Sequence, residues 1–163
     1  MPASGGVPSP AKSRTTGISA SASPTPRTAR YVHGGCGGTR LRLGGTPRWA
    51  ATANPPRIPY ALAARGMAAG FLFGNPLRAG KPTNPANKIL WVVASPRDGS
   101  PLRVTGHPLG ATAPVVSATF PANSAPGEIY PSIINVPAPG CWHFNLSWNG
   151  HSDAVDLRYV SHR

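Results

Sequence analysis

Acidic side chains are nearly missing from this 163-residue chain: Asp98, Glu128, Asp153 and Asp156 are the full set, and residues 1 to 97 hold none. Chemistry that needs two facing carboxylates, such as glycoside hydrolysis, is poorly served by such a set. Asp153 and Asp156 stand three apart on one predicted strand and so face opposite ways. The chain also lacks a Gly-x-Ser-x-Gly elbow, a His-Glu-x-x-His pair, a phosphate loop and a Gly-x-Gly-x-x-Gly turn after a strand. No apolar run approaches the roughly 20 residues of a membrane-spanning helix. The opening MPASGGVPSPAKSRTTG lacks the apolar stretch of about 7 to 15 residues that an export signal carries. These absences predict a noncatalytic protein with no cofactor and no transmembrane segment.

Positive charge is what the chain has instead. It holds 16 Lys and Arg for a formal net charge of +12, and only Arg103, Arg158 and Arg163 lie beyond Asp98. Residues 1–57 are built from Ser, Thr, Ala, Gly, Pro and Arg with no period of 2 or 3.6. Their apolar area is too sparse to offset about 1 to 2 kcal/mol per residue of ordering entropy, so a disordered basic N-terminal arm is expected. Its Arg14, Arg27, Arg30, Arg40, Arg42 and Arg48 are the candidate contacts for a polyanion. An anionic cell-envelope polymer or lipid headgroups are the leading partners, and nucleic acid in the cytosol is the alternative. Tyr31 and Trp49 are the arm's only aromatics, so it has no row of stacking side chains. The plain reading of such an arm is a solvated tail. An acid-free stretch of Ala, Gly, Pro and Arg is also what an unselected frame of GC-rich DNA yields.

From residue 58 the texture changes to short apolar runs separated by Pro, Gly, Asn and Asp, the pattern of strands and turns. Seven strands are predicted: Met67 to Phe73, Lys88 to Ala94, Leu102 to Gly106, Val115 to Phe120, Ile129 to Asn135, Cys141 to Trp148 and Ala154 to Val160. Tyr60 to Phe73 is the one stretch with helical potential, which Gly66 and Gly70 weaken. An all-β domain over 58–163, an antiparallel β-sandwich of about seven strands, follows.

The last two strands carry the clearest signal. Trp142, Phe144, Leu146 and Trp148 alternate with polar residues and so share one face. Asn149-Gly150 is the dipeptide preferred in two-residue type I′ turns. That turn pairs Trp148 with His151, Phe144 with Val155 and Trp142 with Leu157, and sets His143 opposite Asp156 on the outer face. A one-residue slip would oppose apolar to polar side chains throughout. A second hairpin is expected at Asp98-Gly99, joining Ile89–Val93 to Leu102–Val104. The first of these runs is apolar at successive positions and should be covered on both faces.

Several motifs in this region, Phe71-Leu72-Phe73 followed by Pro76-Leu77-Arg78, Asn87 to Trp91, Asp98-Gly99, Tyr130-Pro131-Ser132 and Gly140-Cys141-Trp142, carry a family resemblance. The segment from Ile58 to Val160 resembles the C-terminal module of small exported or lipid-anchored actinobacterial proteins of unknown function. The resemblance implies an immunoglobulin-like sandwich located outside the cytoplasm, with no catalytic residues to carry over. The chain departs from it where an export or lipoprotein signal would stand. Gly34-Gly35-Cys36-Gly37-Gly38 is similar to the surroundings of a lipoprotein cysteine, but PTPRTARYVH before it is polar and basic.

Candidate chemistry is thin. His143, His151, Asp153 and Asp156 lie close in sequence, yet the hairpin register sends them to different faces, so no metal site is expected and His143 with Asp156 reads as a cross-strand contact. Cys36 and Cys141 could pair only if the arm docks; a small buried thiol at Cys141 is the favoured reading. Trp91 and Trp142 fall at core positions. Trp148, beside the turn, is expected to be half exposed, and with Tyr130 on the rim it forms the candidate ligand-binding pair.

Overall fold

The computed structural model describes residue 1 and residues 28–53, 57–82, 86–94, 98–122 and 129–161, with the backbone alone at 51–53. Eleven strands and one short 3-10 helix make up the described chain, and no α-helix occurs among these residues. No helix there is long and apolar enough to cross a membrane. The strands are β1 (Arg30–Cys36), β2 (Thr39–Leu43), β3 (Tyr60–Leu62), β4 (Ala68–Leu72), β5 (Leu77–Arg78), β6 (Lys88–Val93), β7 (Leu102–Pro108), β8 (Val116–Phe120), β9 (Ile129–Ile133), β10 (Gly140–Trp148) and β11 (His151–Val160), with η1 (Arg48–Ala53) between β2 and β3. They run in the order β8-β7-β10-β11-β1-β2-β3-β4-β6-β9, with β5 parallel to the end of β11. Every other pairing is antiparallel. The result is nearly barrel-shaped, with one sheet (β1-β2-β3-β4-β6-β9) joined to the other (β8-β7-β10-β11) where Gly35 of β1 meets Leu157 of β11.

All seven predicted strands are present, within a few residues of their expected bounds, and the stretch 60–73 holds two strands, β3 and β4, around a turn and no helix. Alternation explains where their side chains go. Trp142, Phe144, Leu146 and Trp148 from β10 meet Val155, Leu157 and Tyr159 from β11 in a core that also takes Ile89, Trp91 and Val93 from β6. Asn149 and Gly150 both have positive φ, 39° and 70°, as the tight turn requires, and the β10–β11 register is the predicted one from Trp148↔His151 to Trp142↔Leu157.

Strand β6 is covered on both faces, as its unbroken apolar run implies. Ile89, Trp91 and Val93 face the main core. Val92 joins a second cluster with Ala50, Tyr60 and Phe71, against which Trp49, Ile58 and Leu90 pack. Thus η1 forms a lid over the outer side of the first sheet.

Two expectations are corrected. Asp98-Gly99 does not join a hairpin: β6 pairs with β4 and β9, whereas β7 pairs with β10 and β8. The segment instead crosses between the sheets. The Ser100 amide donates to the Asp98 carboxylate at 2.9 Å, which holds that carboxyl below its usual range, and the Tyr130 hydroxyl donates to the Ser100 carbonyl at 3.0 Å. A turn signal states that the chain reverses, not which strand it will meet.

The arm is also shorter than 1–57. Residues 30–36 and 39–43 are strand and 48–53 are 3-10 helix, with Leu41 and Ala50 fully buried. Thr39-Arg40-Leu41-Arg42-Leu43 alternates in burial as a half-buried strand does, and it pairs with β1 on one side and β3 on the other. Core side chains and a paired register in this stretch speak against an unselected reading frame there. Residues 2–27, with Arg14 and Arg27, lie outside the described residues.

Candidate functional site

The second sheet turns a polar face outward, and at one end of that face several strands are locked together. Cys36 at the end of β1 is bonded to Cys141 near the start of β10, with Cα atoms 5.8 Å apart and a sequence separation of 105 residues. No free cysteine remains among the described residues. The favoured expectation of a lone buried thiol at Cys141 is therefore corrected: docking of β1 beside β11 brings the arm's cysteine within bonding reach.

Beside the disulfide stands Asp156, a buried carboxylate on β11. Its Oδ2 accepts the Gly38 amide at 2.7 Å, and its Oδ1 lies 2.7 Å from Nδ1 of His143. The Asp156 amide donates to the Thr39 hydroxyl at 2.9 Å. Gly37, at φ +54°, sits so close that an added Cβ would overlap the Asp156 carboxylate. The loop between β1 and β2 is thus a clamp over this acid. The predicted pairing of His143 with Asp156 is present, and it is the one ion-pair contact among the described residues. His107 on β7 lies directly across from His143 on the other side, with ring centroids 5.4 Å apart.

Asp153 points the other way. Its Oδ1 accepts the Arg65 and Ala154 amides, both at 2.8 Å, and its Oδ2 accepts the Met67 amide at 2.9 Å. The carboxylate organises the turn between β3 and β4 and ties it to the second sheet. His151 stacks against Trp148 at the β10–β11 turn, ring centroids 6.0 Å apart.

The candidate ligand-binding pair is not at the surface. Trp148 is only 3% exposed and Tyr130 1%. Trp148 sits in the main core, its Nε1 buried with no hydrogen-bond partner among the described residues, and it forms only the floor of a shallow depression with Ser100, Pro101, Arg103 and His151. Both are packing residues: Trp148 is buried in the main core, and the hydroxyl of Tyr130 is used internally on Ser100.

The described candidates for polyanion contact fare differently. Arg30, Arg40 and Arg48 are exposed and Arg42 is half-buried. Arg40 and Arg42 hold their guanidinium carbons 5.1 and 5.9 Å from the ring centroid of Tyr31, which is 61% exposed. Cross-strand register explains the grouping: Tyr31 pairs with Arg42, and Arg40 lies two residues along the same face. No carboxylate among the described residues pairs with either arginine. The outer face of β1 and β2 is therefore a cationic patch with an aromatic centre. Sequence reasoning listed these arginines individually but missed that Gly37-Gly38 turns β1 onto β2 and gathers them.

Compared with protein-family models, with curated proteins and with solved structures, the chain matches none.

Proposed function

We propose that this chain is a noncatalytic, extracytoplasmic binding module: an immunoglobulin-like β-sandwich whose basic N-terminal part meets an anionic polymer or lipid surface. The observation that carries the reading is the Cys36–Cys141 disulfide. Disulfides persist in oxidising compartments and are rare in the cytosol, and this one holds the turn end of the cationic β1–β2 hairpin to the second sheet. The two packed sheets serve as a rigid scaffold for surface contacts. The motif resemblance to exported actinobacterial modules points the same way.

Binding on this reading is electrostatic. Arg30, Arg40, Arg42 and Arg48 attract phosphate-bearing headgroups or polymers, and each cation near an anionic surface contributes about 1 kcal/mol at low salt. A cytosolic nucleic-acid role would use the same arginines, but the disulfide disfavours that compartment.

The test is cosedimentation of the oxidised full chain with phosphatidylglycerol vesicles and with neutral phosphatidylcholine vesicles across a salt series. The proposal predicts binding to the anionic vesicles alone, weakening steadily with salt, and weakened again in Arg40→Ala/Arg42→Ala. Binding independent of salt and of headgroup charge would overturn it.

A further inference from the structure

We infer that His107 and His143 form a binding site for a borderline transition-metal ion, Cu(II) or Zn(II), on the outer face of the second sheet. The inference is independent of the polyanion reading, since it uses other residues on other strands.

Register supplies the first argument. His107 of β7 and His143 of β10 are direct cross-strand partners, both half-buried, with ring centroids 5.4 Å apart and ring planes at 41°. With metal–nitrogen bonds of about 2 Å, two imidazoles held at a tetrahedral angle place their ring centres roughly 5 Å apart. The observed separation is close to that of a chelating pair.

Hydrogen bonding supplies the second, by settling which ring nitrogen is free. His107 Nδ1 lies 3.0 Å from the Pro108 carbonyl oxygen, which can only accept, so this nitrogen carries the proton. His143 Nδ1 lies 2.7 Å from the Asp156 carboxylate and donates likewise. With Nδ1 of each ring engaged in this way, Nε2 is the nitrogen left to bind a metal through its lone pair.

The third argument is the support behind the pair. A carboxylate bonded to the far nitrogen of a ligating histidine fixes its orientation and raises its basicity. Asp156 stands in that relation to His143, and is itself held by the Gly38 amide and by the clamp that the Cys36–Cys141 bond secures. No group of three or more His, Cys, Asp or Glu placed to hold a metal ion occurs among the described residues, so solvent would complete the ion's shell. Imidazole donors suit copper and zinc rather than calcium or magnesium, which prefer oxygen.

Calorimetric titration of the oxidised full chain with Cu(II), and separately with Zn(II), tests this, together with nitrogen-15 spectra of the imidazoles. One ion per chain should bind, shifting Nε2 of His107 and of His143. His107→Ala and His143→Ala should each weaken binding at least tenfold, and Asp156→Asn by about 10- to 100-fold. His33→Ala and His151→Ala should leave it unchanged. Where Asp156→Asn fails to fold, His107→Ala still decides, because that ring's one hydrogen bond among the described residues is to its neighbour's carbonyl. Absence of stoichiometric binding, or unchanged affinity in His107→Ala, overturns the site.

Discussion

Removal of the Cys36–Cys141 bond is the perturbation that bears most on how this fold is held. The bond closes a segment of 105 residues, spanning β1 to the start of β10, so it constrains most of the unfolded chain. Chain-entropy reasoning gives between 4 and 5 kcal/mol for a loop of about 100 residues. Against a total stability of about 5–15 kcal/mol for a domain this size, that is a large share. The loss should be uneven. β1 touches β11 at one register position, Gly35↔Leu157, while β10 and β11 pair along their whole length. Without the bond, the β1–β2 hairpin and the Asp156 clamp should loosen before the second sheet does. The assay is urea unfolding of the oxidised chain beside Cys36→Ala/Cys141→Ala, with hydrogen exchange read by segment. We expect a loss of about 3–5 kcal/mol and the largest gain in exchange over residues 30–43. A loss below about 1 kcal/mol, or exchange spread evenly over all strands, would show that the bond does not hold the hairpin in place.

Three further predictions use buried groups. Asp153→Ala strips acceptors from the Arg65 and Met67 amides and should cost about 2–4 kcal/mol in denaturant unfolding. Trp148→Ala opens a cavity in the main core and should cost about 3–5 kcal/mol, while vesicle binding by the folded fraction stays unchanged. Burial raises the hydroxyls of Tyr60 and Tyr159 above their ordinary value of 10.0, with Arg42 opposing part of the shift at Tyr60. The native state then holds protons that the unfolded chain releases above about pH 10, so stability falls as pH rises past that point. A titration of tyrosinate absorbance should show Tyr159 ionising only as the fold is lost and Tyr60 ionising above the ordinary tyrosine range.

The parts of the fold that could be read from sequence were those with two local signals in agreement. In β10 and β11 the alternation of Trp142, Phe144, Leu146 and Trp148 and the Asn149-Gly150 turn impose the same register, and from it the His143–Asp156 contact follows. Strand β2 was hidden because arginine fills its outward positions and only Leu41 is fully buried, so its composition resembles a solvated tail although its alternation is that of a strand. Pairings between strands distant in sequence have no local signature. That is why Cys141 meets Cys36, why His107 lies beside His143, and why β6 and β7 part company at Asp98-Gly99. Trp148 was misplaced for a related reason: its position next to a turn implies exposure, but it is buried in the main core.

Intact mass of the native protein from separated cytosolic, membrane and secreted fractions, with free thiols trapped at lysis, decides whether this is a disulfide-held module working outside the cytoplasm. The protein should be found in the membrane or secreted fraction, carrying no trapping label on Cys36 or Cys141 and two hydrogens lighter than the dithiol form. A cytosolic protein labelled at both cysteines would contradict it.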